Sequence, residues 1–267
     1  MVEDIFLRTL IVTSLAGLQC GLIGVFIFLL SIPFIGVAVS HAAMAGGIWG
    51  IIFGLPPKIC ALAVSMASAF FIGPLADKGG VNTNISVSII FSAMMGLAFL
   101  GIGIIGDTGT EVMSYLWGNV FLVSEAEIML LSLSVAVIII FTAVMYRAIT
   151  AVLFSREMAR ANGVNEKFIY YAILIFTGAV VSINLDIIGG LMLFSLIITP
   201  PAIAHQLTFG MKKFFVISGI SGIAAGAGGV VVSYIFDWPV SASVILFVSA
   251  MFMTAVIFSP KRRKYGA

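Results

Sequence analysis

His41 lies inside an apolar run of the chain. A histidine within such a run is either a group on a solute path or a hydrogen-bonded link between helices. Met44, three residues on, falls on the same helical face and offers a soft thioether, although methionine in an apolar run more commonly packs. Asp186 stands between two apolar runs, where an acid can receive a cation, cap the next helix or mark a solvated turn. His205 ends another run and reads as an interfacial side chain. Cys20 and Cys60 both sit within apolar runs, as small buried residues and not as a disulfide or metal pair. Imidazole, thioether and carboxylate together are donors for a divalent transition metal. They do not form a catalytic constellation. The chain has no GxSxG, no HExxH and no GxxxxGKS or GxxxxGKT phosphate loop. If ATP is used, another subunit binds it.

The composition says what positions these groups. Of 267 residues, 61% are hydrophobic and 9% charged. Mean hydropathy is +1.23. A soluble surface needs roughly a quarter of the residues charged, so most of this surface meets lipid. The formal net charge of +2 gives no reason to expect a nucleic-acid partner. Apolar runs at 9–32, 36–54, 57–76, 84–106, 126–147, 168–186, 189–205, 212–235 and 239–258 are separated by short polar stretches. They lack the two-residue alternation of barrel strands, so the expected fold is an all-α bundle of transmembrane helices. The stretch around Asp186, Gly189 and Gly190 leaves eight or nine spans open. The first run has no basic segment before it and no small-residue cleavage site after it, and is expected to be a retained helix. A single transmembrane domain over 1–267 is expected.

With nine spans, one side collects Lys78, Arg147, Arg156, Arg160, Lys167, Lys212, Lys213, Lys261, Arg262, Arg263 and Lys264, and the other only Arg8 and Lys58. The basic side is cytoplasmic. That places the C-terminus inside and the N-terminus outside. Asp107, Glu111, Glu125 and Glu127 fall in one outer loop. Trp117 and Trp238 fit an aromatic belt at the outer interface.

Small residues mark helix contacts. Gly46, Gly50 and Gly54 recur every four residues, as do Gly17 with Gly21 and Gly222 with Gly226. Such spacing lets backbones approach closely within one chain or at a dimer seam. The cytoplasmic segment near 147–167 is the longest on its side. Ser155 is placed to cap a short helix there and Gly163 to end it, so that Arg156, Glu157 and Arg160 project from about two or three turns. The segment is either a solvated connector or a docking helix that carries motion from a cytoplasmic partner.

Four segments of the chain, in order, resemble the metal-ion ABC transporter permease family. SHAAMAGG at 40–47 resembles its "SHAxLPG". Phe154, Ser155, Glu157, Ala159 and Gly163 fall in register with its "S-F-D-x-E-x-A-x-x-x-G" segment. IIGGLMLFSLIITPPAIA at 187–204 and VVVSYIFDWPVSASVILFVSAMFM at 230–253 resemble its later spans. The resemblance implies a type II importer-like permease that works as a homodimer. Its partners would be two cytoplasmic ATPase subunits and an extracytoplasmic solute-binding protein. The cargo would be zinc, manganese or ferrous iron, with no permanently bound cofactor. His41, Met44 and Asp186 would belong to the metal path, and Ser155, Arg156, Glu157, Arg160 and Gly163 to ATPase coupling.

The chain departs from that pattern where the family has an aspartate four residues before the histidine, since Val37 stands there. Ala45 replaces a proline, and Thr83 and Asn84 replace an acidic pair. A permease for a metal chelate, such as a siderophore or corrinoid, is the first alternative. An ion-coupled secondary transporter is the second, although that class carries several intramembrane carboxylates and an internal repeat.

Overall fold

A computed structural model of the chain describes residues 2–105, 118 and 120–261. Asp107, Glu111, Trp117, Arg262, Arg263 and Lys264 lie outside the described residues. The described residues form helices α1 (Val2–Leu29), α2 (Ile35–Ile52), α3 (Pro57–Gly79), α4 (Thr83–Ile105), α5 (Glu125–Val144), α6 (Tyr146–Phe154), α7 (Arg156–Ala161), α8 (Glu166–Ile188), α9 (Gly190–Leu207), α10 (Met211–Phe236) and α11 (Val240–Ile257), with no strand among them. Nine of these are long and apolar enough to cross a membrane, all but α6 and α7. The Asp186–Gly190 stretch is thus a break between two spans. The first helix begins well before residue 9. Its polar first turns extend the helix without having to enter lipid.

Contacts divide the chain into two compact units: residues 1–28, 119–143 and 191–267 form one, and 29–118 with 144–190 form the other. In the first unit, glycines set the approach of α1 to α10. A Cβ on Gly17 would strike the Gly222 carbonyl, and one on Gly222 would strike the Gly17 carbonyl. Gly226 meets the Thr13 carbonyl and Gly21 the Ser218 carbonyl in the same antiparallel register. Ser218 Oγ donates to the Gly21 carbonyl at 2.6 Å. The lipid tails give no hydrophobic reason for two apolar helices to associate, so backbone proximity and such hydrogen bonds hold them. Pro200 and Pro201 lie inside α9. Pro201 has no N–H to offer the Ile197 carbonyl, and Gly24 of α1 packs its backbone against that freed oxygen. Gln19 is fully buried, and its Nε2 donates to Ser134 Oγ of α5 at 2.7 Å.

In the second unit, α2 packs on α3 through Gly46 and Gly50, whose missing side chains are replaced by Cys60 and Pro57. Gly54 does not belong to this seam: nothing lies within reach of a Cβ there, and its φ is +66°. It ends α2 instead. Its N–H donates to the Ile51 carbonyl at 3.1 Å, and that of Leu55 to the Gly50 carbonyl at 2.9 Å, the paired bonds of a glycine-terminated helix. Pro57 then opens α3, where its missing N–H is not needed. The α3–α8 pair closes through Gly178, which sits against the Ser65 and Met66 backbone, and Gly73, which sits under the Tyr171 ring. Ser65 Oγ donates to the Gly178 carbonyl at 3.1 Å.

Candidate functional site

His41 sits on α2, half-buried. Its Nδ1 is 2.9 Å from the Val37 carbonyl one turn earlier. A carbonyl only accepts, so Nδ1 donates to it, and in the neutral ring Nε2 is the nitrogen left for a ligand. The ring meets Phe91 of α4 edge to face, centroids 5.1 Å apart. The residue at the position of the family's aspartate thus contributes its backbone oxygen to orient the imidazole, not a carboxylate to share an ion.

Met44 is buried in an apolar cluster with Ala45, Ile48 and Ala98, covered by Ile52, Ile102 and Ile105. Asp186 is half-buried in the last turn of α8. Gly189, at φ 76°, ends that helix, and its N–H donates to the Leu185 carbonyl at 3.0 Å. The glycine contacts fix how the helices align. Gly46 opposes Cys60, and Ser65 opposes Gly178, which sets His41 level with Ser65 and Gly178. Asp186 lies two turns further along α8, about 12 Å at 1.5 Å per residue. His41 and Asp186 therefore do not converge on one ion in this conformation. Among the described residues, no three His, Cys, Asp or Glu side chains meet. His205 is exposed at the end of α9, its ring 5.1 Å from that of Phe28. Trp238 is exposed and stacks on Phe236 at 5.1 Å.

The segment after α6 turns at Ser155, whose φ and ψ are −161° and 121°. Ser155 Oγ accepts from the Met158 N–H at 3.3 Å and caps α7. The helix is only six residues long. It ends at Gly163, φ +76°, with Gly163 N–H donating to the Arg160 carbonyl and Val164 N–H to the Ala159 carbonyl, both at 3.0 Å.

Arg156 does not project outward. Its Nη1 and Nη2 each donate at 3.0 Å to the two carboxylate oxygens of Asp77, at the end of α3. Its Nε donates at 3.0 Å to Glu166, the first residue of α8. The guanidinium lies 4.1 Å from the centre of the Tyr170 ring. Burial opposes the charge, but the bonds to Asp77 and Glu166 outweigh it and hold Arg156 protonated beyond the usual arginine range. Arg160 also turns back: its Nε donates to Glu166 Oε1 at 3.2 Å and its Nη2 donates to the same oxygen. Glu166 is 2% exposed, against 30% for Asp77 and 65% for Arg160. What faces outward is Phe154, 79% exposed, with Met158, 56% exposed, and Glu157. Asp77, Glu166 and Tyr170 were not singled out by the sequence, since the first two fall just outside the apolar runs.

The profile of the ABC 3 transport family matches residues 2–259. The chain belongs to the ABC 3 transport family. It is similar to the manganese transport system membrane protein MntC of Listeria monocytogenes, 29% identical over 258 residues that cover 96% of this chain and 92% of that one. A probable iron transport system membrane protein of Haemophilus influenzae is 26% identical, covering 96% and 95%. In fold it resembles PsaBC from Streptococcus pneumoniae, solved in complex with a Fab, with a TM-score of 0.84, 23% identity and 98% of each chain covered.

As an ABC 3 member the chain is a multi-pass membrane permease, and catalysis of ATP hydrolysis is not its part. The departures from the family pattern have local structural uses here. Asn84 Nδ2 donates to the Ser31 carbonyl at 3.1 Å, fastening the start of α4 to the α1–α2 turn. The Asn84 N–H donates to Asn82 Oδ1 at 2.9 Å, so the asparagines shape the first turn of that helix.

Proposed function

We propose that the chain is the membrane-spanning permease subunit of an ATP-driven importer for a divalent transition-metal ion: manganese, iron or zinc. The observation that carries this is family membership over nearly the whole chain, with relatives named for manganese and iron transport. The proposed assembly is a homodimer with two cytoplasmic ATPase subunits and an extracytoplasmic metal-binding protein, in a prokaryotic inner membrane. The C-terminus lies inside and the N-terminus outside, by the distribution of basic residues. The exposure of most of α4 supports a second copy, since that helix presents Asn84, Ser88 and Ser92 on its open side.

Transport proceeds by alternating access. ATP closes the partner subunits together, α7 moves with them, and the central path opens to the other face. His41 contributes a neutral nitrogen donor to that path at the depth of Ser65 and Gly178. In a two-fold dimer this imidazole occurs twice. A site of so few donors holds an ion weakly enough to release it. Asp186, at the outer end of α8, is the proposed first receiver of the cation.

The test is uptake of manganese, iron, zinc and cobalt ions into sealed vesicles holding this chain with its ATPase and binding protein. ATP-dependent uptake of one ion, lost in His41→Ala while the complex stays assembled, supports the function and the site. Unchanged uptake in the variant removes His41 from the path. If no free ion is taken up, the cargo is a chelate or the reading is wrong, and ATP-dependent uptake of a ferric siderophore decides between those two.

A further inference from the structure

Resting on the permease reading, we infer that Arg156 is a positioning residue for energy coupling: it fastens α7 to the ends of α3 and α8, so that a displacement of α7 moves both spans as one body. Three features carry this. The first is geometry. A planar guanidinium donates through all three nitrogens, two to Asp77 and one to Glu166, with the Tyr170 ring against its face. Such a fork resists rotation and shear as a single ammonium contact cannot.

The second is the position of the two acids. Glu166 opens α8, where the helix dipole favours a carboxylate; Asp77 lies in the final turns of α3, where the dipole disfavours one. Asp77 is therefore a poor choice for the stability of α3 by itself, and its compensation is Arg156, 79 residues away in sequence. Tyr171 Oη also donates to Asp77, at 3.4 Å.

The third is what lies behind the clamp. The α3–α8 pair is closed by Ser65, Gly73 and Gly178, and α2 lies on α3 through Gly46 and Gly50. These seams set backbone against backbone, against the Tyr171 ring, or against the short Cys60 and Val64 side chains. A push on Asp77 thus travels along α3 to the level of His41 without passing through a compressible layer of long side chains.

The experiment uses the complete transporter in sealed vesicles, with Mn2+ as probe, and measures uptake and ATP hydrolysis in the same preparation. For Arg156→Gln the expected result is a fall of at least about fivefold in Mn2+ taken up per ATP hydrolysed, the lower end of ordinary coupling energies, with ATP hydrolysis retained. Arg156→Lys should recover part of the ratio. Asp77→Asn, which leaves the Glu166 contact intact, should lower the ratio less and decides the matter if Arg156→Gln fails to assemble. An unchanged ratio in the assembled variants overturns the inference and leaves the permease reading standing. So does a fall of uptake and hydrolysis in equal proportion, which marks a merely structural role. If the wild type takes up no Mn2+, the same ratio is read with Fe2+, Zn2+ or Co2+; absence of ATP-dependent uptake of all four ions in the wild type overturns the metal-ion permease reading and the inference with it.

Discussion

Removing Arg156 and Glu166 together should harm the fold less than removing Arg156 alone. The Glu166 carboxylate is 2% exposed and depends on its two arginines for solvation. With Arg156→Ala, the carboxylate keeps only Arg160, itself 65% exposed and well screened by water. Breaking a buried ion pair from one side destabilises by about 3–5 kcal/mol, because a charge stays behind without a partner. Asp77, 30% exposed, regains water and adds only about 1 kcal/mol. The single variant should thus lose about 4 kcal/mol. Glu166→Ala removes the buried charge itself and leaves Arg156 paired with Asp77, so its loss should be about 1.5–3 kcal/mol, the size of a lost charged hydrogen bond. In the double variant the stranded carboxylate is gone, and the loss should fall about 1–2 kcal/mol short of that in Arg156→Ala, and so well short of the sum of the two single losses, as for residues in contact. Thermal unfolding of the purified chain in detergent, followed by circular dichroism at matched heating rates, reads the order directly. A double variant as unstable as the sum of the two singles would refute the claim that burial of Glu166 is the source of the penalty.

Two further outcomes follow from other parts of the fold. Gly222→Leu should separate α1 from α10, where backbone now meets the Gly17 carbonyl. Its melting temperature in detergent should drop by an amount equivalent to about 1–3 kcal/mol, while Gly96→Leu, at a position with nothing within reach of a Cβ, should leave the purified monomer's melting unchanged. In a cysteine-free background, Asn162→Cys should react with a membrane-impermeant maleimide only in inside-out vesicles and Lys58→Cys only in right-side-out vesicles; the reverse pattern would overturn the proposed orientation.

The span positions were legible because each apolar run is bounded by its own stop signals. Gly189 and Gly190 show why the count was open: the polar stretch there is too short to tell a broken helix from two spans, and only the φ of 76° at Gly189 ends α8. The cap at Ser155 and the stop at Gly163 were legible because capping is local, a side chain meeting backbone a few residues away. The direction of Arg156 was not, because its partner Asp77 is 79 residues distant and has no periodic signature. Gly54 continued the spacing of Gly46 and Gly50, but helical spacing has meaning only while the helix lasts. The prolines at 56 and 57 mark the turn in which it sits. Met44 shares its apolar surroundings with a ligand or a packing residue alike, and its packing with Ile48 and Ala98 has no signature in the sequence.

The relation of His41 to Asp186 required the register between helices. Both are polar groups flanked by apolar sequence, and both suit a cation. The glycine seams place them at different depths of one unit, about 12 Å apart along the axis. An ion that visits both must do so in succession. On the proposed path this would suit transport better than a single chelating pocket: the Asp186 carboxylate would attract a cation by charge, and a lone imidazole two turns away would hold it without the electrostatic depth of an Asp–His pair. On the proposed path, Val37 in place of the family's aspartate would leave the His41 station the weaker of the two, while its carbonyl accepts from the imidazole Nδ1. On donor chemistry alone, the proposed His41 site would bind iron and zinc more tightly than manganese.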